Sequence, residues 1–231
     1  MRSQLTFIVL LLGTSLSAQK VSKMDMLGGW STQADDGSTV SVIITDGYFS
    51  GTSYTDQQFN FTVGGSWELD GNNVKQVIEF HSAEPDQVGT TVEMPVSMTG
   101  KDEMTAGDFV YQRIDDGSPG KLQGAWLITG RMRDGEIRRR TPGVRKTMKI
   151  LSGSRFQWIA YNTETKQFMG TGGGTYTTQG GKYVENIEFF SRDQTRVGAA
   201  LDFKFELKDG DWHHSGKSSK GSDIYEIWSL R

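Results

Sequence analysis

FNFTVGGSW (59–67) and FMGTGGGTY (168–176) carry one pattern at a fixed spacing, and that correspondence decides the fold. Phe59 meets Phe168, Thr62 meets Thr171, Gly64-Gly65 meets Gly173-Gly174, and Trp67 meets Tyr176. The same offset lays VIEFHS (77–82) over NIEFFS (186–191), Val88-Gly89 over Val197-Gly198, and VEMPVSM (92–98) over LDFKFEL (201–207). An ungapped match of this extent marks an internal duplication. Each half opens alike, Leu27-Gly28-Gly29-Trp30 against Leu122-Gln123-Gly124-Ala125-Trp126, and closes on an aromatic strand, DFVYQR (108–113) or DIYEIW (223–228). The polar, turn-rich stretch DDGSPGK (115–121) divides them. The reading is two domains, 24–115 and 122–231, joined by a linker at 116–121. A single barrel in which each repeat supplies half the strands is the alternative.

Taken alone, the four glycines of FMGTGGGTY resemble a phosphate cradle. Such a loop needs a strand-to-helix junction, with a helix dipole or a Lys-Ser/Thr pair behind it. Here the chain runs into Tyr176-Thr177-Thr178 and a Gly-Gly turn. Alternation dominates instead: Leu201, Phe203, Phe205 and Leu207 share one face, opposite Asp202, Lys204 and Glu206. Turn signals such as Asp70-Gly71, Gly180-Gly181 and Asp209-Gly210 separate the runs. The expected fold is all-β, built of antiparallel up-and-down strands and closed so that no edge is left unpaired.

Arg2, an apolar run over 5–12 and small residues up to Ala18 read as a signal peptide over 1–18. Export to a periplasm or beyond the cell is expected, with no membrane insertion after the leader is removed. With no cysteine, the chain has no disulfide, thiolate chemistry or cysteine-borne lipid anchor. The formal net charge of −3 gives no electrostatic case for nucleic acid. His213 and His214 are adjacent on a strand and point to opposite faces, so they cannot chelate one ion. No metal and no cofactor is expected.

Gly28-Gly29-Trp30 and Gly124-Ala125-Trp126 resemble the first strand of lipocalins and related calycins. FVYQR (109–113) is similar to the last strand of fatty-acid-binding proteins. The stretch 146–231 looks like a family of secreted bacterial lipocalin-like proteins of unassigned activity. The resemblance implies two tandem lipocalin-like barrels, each with its tryptophan plugging the closed end, and in the first a basic residue of FVYQR packed near it. It implies a space for a ligand and no reaction. The fatty-acid binders' Arg-x-Tyr carboxylate anchor is replaced here by Asp223 two residues before Tyr225, which argues against a fatty acid.

The two copies differ where a pocket would be. Phe61 and Val63 of the first are Gly170 and Gly172 in the second. The lost bulk points to a cavity in the second domain, floored by Gly170 and Gly172 and walled by Trp158, Tyr161, Tyr176 and Trp228, with Arg155, Gln157, Glu188 and His214 as polar candidates. Glycines that only let a strand bend are the other reading, and the shared Gly65 and Gly174 fit it. Alternation leaves open which of Glu185 and Glu188 faces inward. The connection after Trp126 is roughly ten residues longer than that after Trp30. The extra segment, RMRDGEIRRRTPGVRK (131–146), is either a solvated hairpin or an arginine-bearing lid for anionic groups such as uronates or sulfates. The expected function is binding of a small molecule, polar or anionic, in the second barrel. An enzyme using Glu188 and His214 as acid and base, and an envelope interaction protein without a pocket, are the alternatives.

Overall fold

The computed structural model describes residues 20–56, 58–218 and 221–231. The leader expected over 1–18 lies outside them. Among the described residues no helix is long and apolar enough to cross a membrane.

The chain forms two barrels of eight antiparallel strands, each strand hydrogen-bonded to its sequence neighbours. The first comprises β1 (Gly28–Gln33), β2 (Thr39–Thr45), β3 (Tyr48–Thr55), β4 (Gln58–Asp70), β5 (Asn73–His81), β6 (Thr91–Thr99), β7 (Glu103–Ala106) and β8 (Phe109–Asp115), and β8 closes on β1. The second runs through β9 (Gly124–Arg133), β11 (Arg145–Leu151), β12 (Arg155–Asn162), β13 (Phe168–Gln179), β14 (Lys182–Phe190), β15 (Ala200–Lys208), β16 (Asp211–Lys217) and β17 (Asp223–Leu230). Here β17 closes on β9, and β10 (Glu136–Arg139) folds back on β9 alone as a projecting hairpin. The single barrel shared by both repeats is not formed.

Each barrel is plugged by the tryptophan of its first strand. Trp30 Nε1 donates to Met26 O at 2.8 Å, and Trp126 Nε1 donates to Leu122 O at 2.9 Å. A short helix, α1 (Lys23–Met26), capped by Ser22, carries Met26 under the first barrel. The Arg113 guanidinium lies 4.0 Å above the Trp30 ring.

The shared glycines make a β-bulge in each barrel. Gly64 and Gly65 face Phe80 and Ile78, leaving Glu79 as the extra residue; Gly173 and Gly174 face Phe189 and Ile187, leaving Glu188 extra. A Cβ on Gly65 would meet Val77 O at 2.0 Å and one on Gly174 would meet Asn186 O at 2.1 Å, so only glycine permits the approach. Past the bulge the alternation reverses. Glu185 and Ile187 therefore point into the second barrel, while Glu188 and Phe189 point out of it.

The outward faces pack the barrels against each other through a pseudo-twofold seam. Gln157 Nε2 donates to both Thr62 Oγ1 and Thr171 Oγ1 at 2.9 Å, and Ser50 Oγ donates to Gln157 Oε1 at 2.6 Å. Tyr54 OH donates to Glu188 at 2.7 Å, and its counterpart Tyr161 OH donates to Glu79 at 2.6 Å. Each bulge glutamate also takes two bonds from an arginine, Arg155 on Glu188 and Arg231 on Glu79. The tyrosines rest on Phe189 and Phe80, at 4.9 and 5.0 Å. Buried polar groups need partners, and most of those here, the Arg155 Nε excepted, find them in the seam, which fixes one relative placement of the barrels. Burial and the neighbouring Glu188 push the Tyr54 hydroxyl up to about 12.

The linker is clamped rather than loose. The Asp115 carboxylate accepts from Gly29 N, Gly117 N, Gly153 N, Ser154 N and the hydroxyls of Ser152 and Ser154. Burial raises its pKa, and the hydrogen bonds outweigh burial and hold it below the usual carboxylate range.

Candidate functional site: the hollow first barrel

A row of side chains crosses each barrel interior, one residue per strand, and the two rows differ in bulk. In the first barrel it reads Trp30, Val42, Gly51, Val63 and His81. In the second it reads Trp126, Lys149, Trp158, Gly172 and Phe190. The bulk lost at Gly172 is regained on both neighbouring strands, since a Cβ there would come within 2.8 Å of Trp158 and Phe190. A Cβ on Gly170 would meet Arg192 at 2.7 Å. The expected floor of a pocket is therefore filled.

At Gly51 the reverse holds. Its Cβ would touch only Val42 and Val63, at 3.8 and 3.9 Å, which is ordinary contact. Equivalent positions elsewhere in the first barrel are also smaller: Val74 against Tyr183, Met94 against Phe203, Met104 against Trp212 and Tyr111 against Trp228. The result is a cavity of about 390 Å³ inside the first barrel. Its wall is apolar, from Ile44, Phe49, Trp67 and Met104, and Phe61, Asp108 and Phe109 stand at its mouth. Phe61 and Phe109 are 37% and 50% exposed, so the opening itself presents aromatic surface. Polar side-chain groups within it are few: the Gln76 amide and the Tyr111 hydroxyl, whose pKa burial raises. A largely apolar, preformed hollow with a few polar points has the character of a small-molecule site, and its volume falls within the usual range of roughly 300–1,000 Å³.

The second barrel is filled, and unusually so. Lys149 Nζ pairs with Glu185 at 2.6 Å in the interior, both side chains nearly inaccessible. Around the ammonium stand the rings of Tyr183, Trp212, Trp228 and Phe203, with centroids 4.9–5.7 Å away. His214 is buried beside them, and burial first and Lys149 second lower its pKa, so it is held neutral. This lysine stands where the first barrel has Val42, and Glu185 where it has Gln76.

The ten residues expected to form one pocket separate into distinct places. Arg155, Gln157, Tyr161 and Glu188 lie in the seam between barrels, engaged with each other or with the first barrel. Trp158, Gly172, His214 and Trp228 face the packed interior, and Gly170 lies beneath Arg192. Tyr176 sits near the closed end, its hydroxyl donating to Ser152 O at 2.7 Å. Glu188 and His214 stand on opposite sides of the barrel wall, so they do not form an acid–base pair. The hollow at Gly51 was missed, because the longer turn before β13 shifts the offset and Gly51 does not fall on Trp158 in the ungapped alignment. Among the described residues no group of three or more His, Asp or Glu side chains could hold a metal ion. No protein-family model matches the chain. No curated protein matches it either.

Proposed function

We propose that the chain binds a small, mainly apolar molecule in the first barrel, and that the second barrel is a packed companion that holds the first in place. One observation carries the reading: the interior row is open at Gly51 and closed at its counterpart Trp158. The apolar wall favours an alkyl or aromatic body, and Gln76 and Tyr111 offer hydrogen bonds to one polar group on it. The leader-like segment at 1–18 supports a role outside the cytoplasm.

Titration with the apolar fluorophore N-phenyl-1-naphthylamine tests this. Saturable one-to-one binding is expected, weakened at least tenfold in Gly51→Leu, whose side chain projects into the hollow. Equal binding by the variant, or uptake that never saturates, overturns the proposal.

A further inference from the structure

The mouth of the second barrel is as polar as the first barrel's mouth is apolar. Glu226 and His214 occupy the positions of Phe109 and Ala106. Along β11, Arg145, Thr147 and Lys149 share the inward face, so Arg145 stands at the rim above the buried lysine. Arg131 lies directly across from Glu226 and bonds it at 3.2 Å. Arg140 comes back over the same rim, its Nε donating to Ile128 O at 3.3 Å. Burial, then the charges of Arg131 and Arg145, lower the Arg140 pKa, in keeping with the shared rim on which register and bonding set these residues. Two of their hairpin neighbours are already paired, Arg138 with Asp134 and Arg139 with Asp211, and Arg133 lies further out along the hairpin.

Of the four cations at the mouth itself, Arg131, Arg140, Arg145 and Lys149, Glu185 neutralises Lys149 and Glu226 neutralises Arg131. Arg140 and Arg145 have no carboxylate partner among the described residues. Beneath them His214 is 2% exposed, and both ring nitrogens lack a hydrogen bond. Its Nδ1 faces Glu226 at 3.6 Å, too long for a direct bond. We infer that the rim formed by Arg131, Arg140 and Arg145 is a binding site for a small molecule carrying a doubly charged oxyanion or two carboxylates. Two unpaired guanidiniums match such a group in charge, and their planar donor forks match its oxygens in shape. The site is separate from the hollow of the first barrel and stands or falls without it.

The test uses the full chain at fixed ionic strength, with sulfate, inorganic phosphate and malonate as probes and calorimetry as readout. At least one probe is expected to bind one-to-one. Arg140→Gln/Arg145→Gln should weaken that binding at least tenfold. Lys204→Gln/Lys208→Gln removes the same charge from the outer face of β15 and should change it less than twofold. Equal weakening by both double variants would assign the effect to the general field of the protein and overturn the site. So would the lack of saturable binding by all three probes.

Discussion

Trp158 stands in the second barrel where Gly51 stands in the first. Each lies cross-strand from the second-strand residue, Lys149 or Val42, that faces its barrel's tryptophan plug. That exchange is the largest of several that separate a filled barrel from a hollow one. Trp158→Gly should therefore open a space in the second barrel. The indole is half-buried against Phe190, so the expected loss is about 2–4 kcal/mol, somewhat below that for a fully enclosed tryptophan. Urea denaturation checks the loss. Gly51→Leu should shift the midpoint the other way, because it adds apolar contact without touching backbone.

The internal ion pair gives a second test. Lys149→Val alone leaves Glu185 buried among aromatic rings without its cation, and should cost about 3–5 kcal/mol. Lys149→Val/Glu185→Gln installs the first barrel's own pair, Val42 and Gln76, and should recover most of that loss. A double-mutant cycle by chemical denaturation measures the coupling. If the double variant is no more stable than the single one, the lysine is held by its aromatic surroundings rather than by Glu185.

Asp115 joins the end of β8 to the turn at 152–154 of the second barrel, gathering donors from both. Asp115→Ala strands several of these donors and should destabilise the chain by about 2–4 kcal/mol. Because the aspartate ties the first barrel to the second, thermal unfolding followed by calorimetry should also broaden or split in the variant.

The duplication and the all-β alternation were legible because both are local: one offset aligns β4 with β13 and β5 with β14. The pocket was not, because bulk is balanced across strands. Gly172 advertises a loss, but the compensating Trp158 lies on β12, where a longer turn before β13 breaks the ungapped offset and hides its equivalence to Gly51. The face of Glu188 was equally hidden. A bulge reverses alternation at that residue, so simple parity could not assign it, and Arg155, Gln157 and Tyr161 went into a seam that no single-barrel pattern announces.

Acid should act on the chain in two separable steps. His214 is held neutral by burial and by Lys149, so the unfolded chain takes up its proton more readily than the folded one. Its contribution is intact above about pH 6.5 and is lost as pH falls below that. Glu79 behaves in the usual carboxylate sense. Burial raises its pKa, but the bonds from Arg231 and Tyr161 prevail and hold it below its ordinary value. Its contribution is therefore intact above about pH 4.3 and is lost as pH falls through the depressed folded value. Urea midpoints measured from pH 8 to pH 3 should show both slopes. His214→Phe should flatten the upper one, leaving a small remainder from the part-buried His81, whose pKa is also lowered by burial. Glu79→Gln should shrink the lower one, leaving the parts carried by Asp115 and Glu226, whose pKa values are also lowered, and should reduce stability at neutral pH, since Arg231 and Tyr161 lose their charged partner across the seam. An unchanged upper slope in His214→Phe would mean that the imidazole is already protonated in the folded barrel.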